Sequence, residues 1–273
     1  MILSQAWPEL TIVSVDTETT GAYPLDSEIC EIAAVRWENG EVVGELQTLI
    51  KPTQPIGDFI IGIHGITNEM VATAPSIKEK INEFREFIDG AVVVGHHSPF
   101  DMGFLAHEFE KAQLTLPEEP ALCSSLISRK IITDCENHKL QTLIKHLGLQ
   151  QGTAHRALDD AKACLSLLIV CLQRMGEETT LEEILTLQEK SLFWRNFSLQ
   201  ALLRSEVGKV LINGIEKKKT VKIQYQGGSL KGDRTVWPKG IVRSPDGDFL
   251  VACDDGDSQS KRFYLGKIRA AFD

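Results

Sequence analysis

The chain has 273 residues, an apolar share of 42% and a net charge of −9. That size allows one large domain, or one medium and one small, and the acidic balance excludes a general nucleic-acid coat, which needs a basic footprint. No apolar run approaches the roughly 20 residues of a membrane span, and no basic segment followed by an apolar core opens the chain, so neither a membrane anchor nor a signal peptide is expected.

The predicted elements run as follows. Residues 10–15 read as a buried strand. Residues 29–37 and 42–50 read as two more, joined by the turn Glu38-Asn39-Gly40, a strong hairpin signal. Residues 76–88 have helical spacing through Ile77, Ile81, Phe84 and Ile88, and 91–94 form a short buried strand. Helices are predicted over 100–112 and over 138–147, the latter stopping at Gly148. Residues 157–175 give the clearest helix, with an apolar face at Ala157, Ala161, Leu165, Leu168 and Leu172. Three strands followed by helices interleaved with strands imply an α/β class, with a sheet that starts as an antiparallel meander and continues by crossovers.

Thr180 and Glu183 form a capping box that starts a helix toward about residue 198. A further helix is predicted over 207–219. Short β-prone runs follow at 220–225, 234–242, 249–253 and 262–265, with Asp246-Gly247 as a turn. The expected organisation is a first domain over 1–176, a helical connector over 177–203 and a small, mostly β, barrel-like domain over 204–273. Charge divides at the same place. Residues 204–273 hold 14 Lys/Arg against 9 Asp/Glu, a net of +5, which leaves 15 against 29, a net of −14, for residues 1–203. Two solvated surfaces of opposite sign would look like this, and so would an acidic catalytic domain joined to a module that holds a polyanion. The six cysteines show no C-x-x-C spacing. Without an export signal they read as reduced thiols of a cytoplasmic protein.

Three acidic segments carry the chemistry. Asp16 and Glu18, in Asp16-Thr17-Glu18-Thr19-Thr20-Gly21, point to one face of a strand. Such a pair is either exposed at a strand end or shares a cation, and oxygen ligands favour Mg²⁺ or Mn²⁺. Asp101, in His96-His97-Ser98-Pro99-Phe100-Asp101, falls in the first turn of a helix, where an acid also serves the helix dipole. The third segment is His155-Arg156-Ala157-Leu158-Asp159-Asp160-Ala161. On one ideal helix His155 and Asp160 lie about 140° apart, so they converge only if His155 precedes the helix proper. A capping histidine and an acidic first turn would give the same letters.

Taken in this order, the three segments resemble the DEDDh (DnaQ-like) family of 3′–5′ exonucleases over residues 10–175, and Ile63-His64-Gly65-Ile66-Thr67 resembles a further family segment. The resemblance implies an RNase H-like mixed sheet flanked by helices. It implies a two-metal site, with Mg²⁺ as the ion and Mn²⁺ as a substitute. In it Asp16 bridges both ions, Glu18 and Asp160 bind one, Asp101 helps hold the other, and His155 deprotonates water. An unperturbed imidazole titrates near neutrality, which suits that task. Thr19, Thr20, His64 and Phe100 match positions that contact the terminal nucleotide. The implied reaction hydrolyses phosphodiesters from the 3′ end of DNA or RNA and releases nucleoside 5′-monophosphates. Two departures stand out: His97 occupies a position that is often Asn, and Cys123-Ser124-Ser125 stands where many relatives carry an Asp-Thr pair.

Residues 204–273 resemble a WYL domain through residues 221–225, Trp237-Pro238-Lys239-Gly240 and residues 261–268. This implies a barrel-like fold that binds nucleic acid or another anion, with Arg234, Lys239, Arg262 and Lys267 as candidates. Two other readings are a ligand-sensing regulator built on an exonuclease scaffold and a polymerase-associated proofreading subunit.

Overall fold

β-Branched residues are frequent through 12–15 and 29–35, which suits pleated backbone. In the computed structural model, which describes residues 2–150, 152–227 and 232–273, both segments are strands. β1 (Ile12–Thr19) pairs antiparallel with β2 (Ile29–Glu38), and β2 with β3 (Glu41–Leu49). The β2–β3 turn sets Asn39 at φ 51° and Gly40 at φ 91°, the left-handed pair of a tight hairpin. Then come two short helices without a sequence forecast, α1 (Asp58–His64) and α2 (Asn68–Val71), and the expected α3 (Ile77–Phe87). β4 (Val92–Gly95) joins β1 in parallel, α4 (Pro99–Lys111) crosses over, and β5 (Pro120–Cys123) joins β4 in parallel. α5 (Ser124–Ile131), α6 (Leu140–Leu147) and α7 (Ala157–Met175) follow.

The capping box at Thr180 starts α8 (Leu181–Gln188), but the helix stops ten residues short of the expected end. Glu189 turns left-handed at φ 59°, and β6 (Leu192–Phe193) pairs antiparallel with β5. The segment expected as a helical connector therefore adds an edge strand, and it buries Trp194 against Phe109 with ring centroids 5.7 Å apart. The sheet order is β3-β2-β1-β4-β5-β6. Helices cover both of its faces. Ile12, Val92, Val94 and Leu122 pack on one side with apolar residues of α5 to α8, while Val13, Val15, Ile32 and Val93 pack on the other with α3 and α4. That two-sided cover is why the central strands read as nearly unbroken apolar runs.

After α9 (Leu199–Leu203) and α10 (Glu206–Glu216) come β7 (Val221–Tyr225), β8 (Asp233–Val242), β9 (Phe249–Asp254), β10 (Ser260–Tyr264) and β11 (Ile268–Phe272). They form an antiparallel sheet in the order β10-β9-β8-β7-β11. The sheet curls over Leu211, Ile212 and Ile215 of α10. Tyr225 of β7 thereby meets Phe263 of β10 at 5.1 Å between ring centroids, although two strands lie between them in the order. No helix among the described residues is long and apolar enough to cross a membrane.

The two sheets meet at a packed seam. Leu25, from the loop after β1, joins the second core. Arg243 is buried, ion-paired to Asp248 at 2.5 Å, and donates to the carbonyls of Phe197 and Ser198 at 3.1 Å each. Its stem crosses Gly103 of α4, where a Cβ would stand 2.6 Å from Arg243 Cγ. The Tyr23 ring fills the space a Cβ would take on Gly240. Gly240→Ala should therefore lower stability by about 1–3 kcal/mol, the usual cost of overpacking. Urea denaturation measures it, and an unchanged midpoint would show that the Tyr23 loop yields freely.

Candidate active site

The site begins where β1 runs out. Asp16 and Glu18 share one face of that strand, and the pairing of β1 with β2 shifts register between Glu18 and Thr19. α4 opens with Pro99, which places Asp101 in its first turn, buried. Asp101 Oδ1 accepts from the Thr17 N–H at 3.0 Å and from the Thr17 hydroxyl at 2.8 Å, which ties the second acid to the strand of the first. α7 starts at Ala157 with Arg156 as N-cap, and His155 lies before it at φ 60°. The left-handed turn removes the helical separation of His155 from Asp160. The His155 N–H donates to Asp160 Oδ2 at 2.9 Å, and Gln141 donates to Oδ1 at 3.0 Å. Ligand atoms of Glu18, His155 and Asp160 all lie within 4.8 Å of one another.

The electrostatics of the acid cluster suit a cation. Burial holds Asp16 well above the usual carboxylate range, and Asp101, Glu18 and Asp160 push it further. Burial, with Asp160, Glu31 and Asp101, pushes Glu18 up to about 8. Asp101 is pushed up to about 7 by burial, against the opposing bonds from Thr17. Asp160 is also raised by burial. The nearby guanidinium of Arg156 is already committed. It holds Glu31 through bonds of 2.9 and 3.3 Å, and the Ala157 N–H and Gln47 complete that carboxylate's partners. Burial alone would raise Glu31, but these bonds outweigh it and keep it below the usual range. Four carboxyls that resist ionisation together, offering hard oxygen donors, fit divalent cations of the Mg²⁺ type.

A cleft of about 290 Å³ opens beside Glu18, lined by Thr17, Thr19, Phe59, Ile63, His64 and Phe100 among others. Three of the four predicted nucleotide contacts, Thr19, His64 and Phe100, are therefore together. Thr20 is directed elsewhere: its hydroxyl accepts from the Glu28 N–H at 2.9 Å and closes the loop after β1. His64 Nδ1 accepts from the Ile66 N–H at 3.0 Å, and burial pulls this imidazole below its ordinary value. Sequence reasoning missed Phe59 and Ile63, which α1 leaves exposed over the cleft, Phe59 at 81%. The available signal was the surplus of apolar residues in Asp58-Phe59-Ile60-Ile61-Gly62-Ile63. It missed Glu31 and Gln141 as well, and nothing local marks either.

Both departures from the family pattern have structural accounts. His97 sits at φ 68°, a left-handed position that Asn and His tolerate better than most residues. Ser124 and Ser125 are buried braces. Ser124 Oγ meets His96 Nδ1 at 2.8 Å and Cys164 Sγ at 3.3 Å. His96 is itself a half-buried strut, pushed down to about 3 by burial and by His97.

The four cations predicted in residues 204–273 each have a different partner. Arg234 is paired with Asp254 at 3.6 Å. Lys239 reaches Ser260 at 2.9 Å, Arg262 lies 5.0 Å over the Phe249 ring, and Lys267 lies 5.6 Å over the Tyr264 ring.

Comparison with known proteins bears on this geometry. The RNase T model, described as exonuclease, matches residues 13–168. The DNA polymerase III PolC-type of Caldanaerobacter subterraneus subsp. tengcongensis is 37% identical over 174 residues, which is 64% of this chain and 12% of that protein. The DNA polymerase III subunit epsilon-like protein of Rhodobacter capsulatus is 41% identical over 163 residues, 57% of this chain and 23% of that protein. The chain thus matches only a small part of the length of these relatives. Among solved structures, exonuclease X in complex with 5′ overhanging duplex DNA is 26% identical, with a TM-score of 0.51, covering 65% of this chain and 99% of that one. A zinc-bound complex of E. coli exonuclease I with single-stranded DNA shares the fold at 15% identity and a TM-score of 0.54. It covers 89% of this chain and 54% of that one, more of this chain than residues 1–203 alone can supply.

Proposed function

Because the chain belongs to the exonuclease family, we propose that it is a Mg²⁺-dependent 3′–5′ exonuclease that removes nucleotides singly from the end of a DNA strand. The observation that carries this reading is the convergence of Glu18, Asp160 and His155 close to Asp16 and Asp101, with Glu18 also lining the cleft. Asp16, Glu18, Asp101 and Asp160 would hold two ions, with Asp16 shared between them. Bound there, such a pair supplies Lewis-acid stabilisation of the attacking and leaving oxygens of an in-line displacement. His155 takes the proton of the water. Its backbone is fixed by the Asp160 bond, while its exposed ring can pass that proton on to solvent. Thr19, His64 and Phe100 seat the terminal nucleotide, Phe59 and Ile63 give it apolar cover, and the product is a nucleoside 5′-monophosphate. The names of the DNA polymerase III relatives favour DNA over RNA.

The test is a time course on 5′-labelled single strands of DNA and RNA, with Mg²⁺ and with EDTA. The expected result is a ladder shortening from the 3′ end, faster on DNA and absent in EDTA. An intact strand in Mg²⁺ overturns the reading. The PolC-type relatives also favour a polymerase partner. Stable co-elution of the full chain with the polymerase of the same cell would establish it, and separate elution would remove it.

The acid cluster gives a second test. A carboxyl raised in the fold binds its proton more tightly there than in the unfolded chain. Its contribution to stability is full at low pH and is lost as pH climbs from about 4 through the folded values of about 7 for Asp101 and about 8 for Glu18. Metal-free protein should therefore melt lower at pH 8 than at pH 5.5. Because protons compete for the same oxygens, Mg²⁺ should raise the melting temperature more at pH 8. Equal Mg²⁺ shifts at both pH values would show that these carboxyls are not the ligands.

A further inference from the structure

β8 alternates about the second core as far as Pro238. Val236 belongs to that core and Pro238 stands beside Gly214 of α10, so Trp237 points to the opposite, outer face. The pairing of β8 with β9 shifts register between Pro238 and Gly240. Ile241 then returns to the core, and Gly240 faces outward beneath the Tyr23 ring. Across the sheet Gly240 is paired with Val251, and Val251 with Arg262. In the adjoining row Trp237 is paired with Cys253, and Cys253 with Ser260, the residue that Lys239 reaches. Two aromatic rings and two cations thus share one surface.

Three features set this surface apart. Trp237 is 45% exposed, whereas Trp7, Trp37 and Trp194 are all buried. Lys239 and Arg262 make no ion pair among the described residues, while the sheet's acids Asp233 and Asp254 are paired with Lys222, Arg234 and Lys261. The surface also adjoins the catalytic cleft, because Tyr23 lies two residues beyond Gly21, which lines the cleft with Glu18. An exposed indole flanked by unpaired cations suits a strand whose bases stack and whose phosphates carry charge.

We propose that this outer face, centred on Trp237 and Tyr23 with Lys239 and Arg262, is a platform on which a single DNA strand stacks as its 3′ end enters the cleft. The proposal rests on the exonuclease reading, and its test separates the two. The full chain in EDTA is titrated with a 15-residue oligothymidylate while tryptophan emission is followed. With the other tryptophans buried, quenching reports Trp237. Trp237→Ala should abolish the quenching and weaken binding roughly 5- to 150-fold, the range for losing one base–aromatic stack. Arg262→Ala should reduce the slope of log affinity against log salt by about 0.7. In Mg²⁺, both variants should cut a thymidine dinucleotide, too short to reach the sheet, at the wild-type rate.

Wild-type affinity in both variants, with no quenching in the unaltered protein, overturns the platform. So does a change in oligomeric state on Trp237→Ala without a change in DNA binding, which would make the face a protein contact. If the wild-type chain cuts no dinucleotide yet its emission is quenched, and Trp237→Ala abolishes that quenching, the platform stands and the catalytic reading falls.

Discussion

Asp16→Ala should abolish strand shortening, with a fall of at least about 10³-fold. Losing electrostatic stabilisation at one developing oxyanion typically costs 10²–10³, and this side chain is proposed to serve both ions. The same change should make the metal-free protein more stable. Asp16 is held well above the carboxylate range by burial and by four neighbouring acids, so ionising it in the fold is unfavourable and removing it relieves the others. Asp16→Asn keeps the volume and is the cleaner variant. It should melt higher than wild type in EDTA at pH 8, and Mg²⁺ should raise its melting temperature less. A variant that is inactive and also less stable in EDTA would mean that Asp16 is a structural residue and that the repulsion is relieved by other means. Opposite signs for activity and stability are the signature of a site held together against its own charge.

The second large effect is expected at His155. Removing a general base costs roughly 10²–10⁴ in rate, without loss of the acids that hold the metal. The backbone complicates the choice of substitution, because His155 sits at φ 60° and its N–H holds Asp160. Alanine strains a left-handed turn, whereas asparagine tolerates it. His155→Asn should therefore keep the melting temperature and the Mg²⁺ response of the wild type while kcat falls and KM stays near its original value. A wild-type kcat in His155→Asn would remove the proposed role. A collapse of the Mg²⁺ response would make His155 a ligand.

Much of the first sheet was legible because its pattern is strong. Asn39-Gly40 set a hairpin, and α7 was marked over its whole length by Ala157, Ala161, Leu165, Leu168 and Leu172. Geometry made the convergence of His155 with Asp160 conditional on His155 preceding that helix, as it does. The short helices α1 and α2 were not legible, since four to seven residues carry too little periodicity to stand out. α8 was overextended because a capping box marks where a helix starts and says nothing about where it stops. Its end depends on Glu189 turning left-handed and on Trp194 finding a place beside Phe109, a contact far away in sequence. In the site, the acids were visible as motifs. Their supports were not, because Glu31, Gln141 and Thr17 act through partners up to 126 residues away.

The order in which the site is strung along the chain matters while the protein is being made. Asp16, Glu18 and Asp101 leave the ribosome well before His155 and Asp160, and α7 must emerge whole before it can pack against β1 and β2. Until then a nascent chain carries most of the acids but no complete centre. A chain that ends before residue 155 therefore lacks two of the five residues proposed for the site.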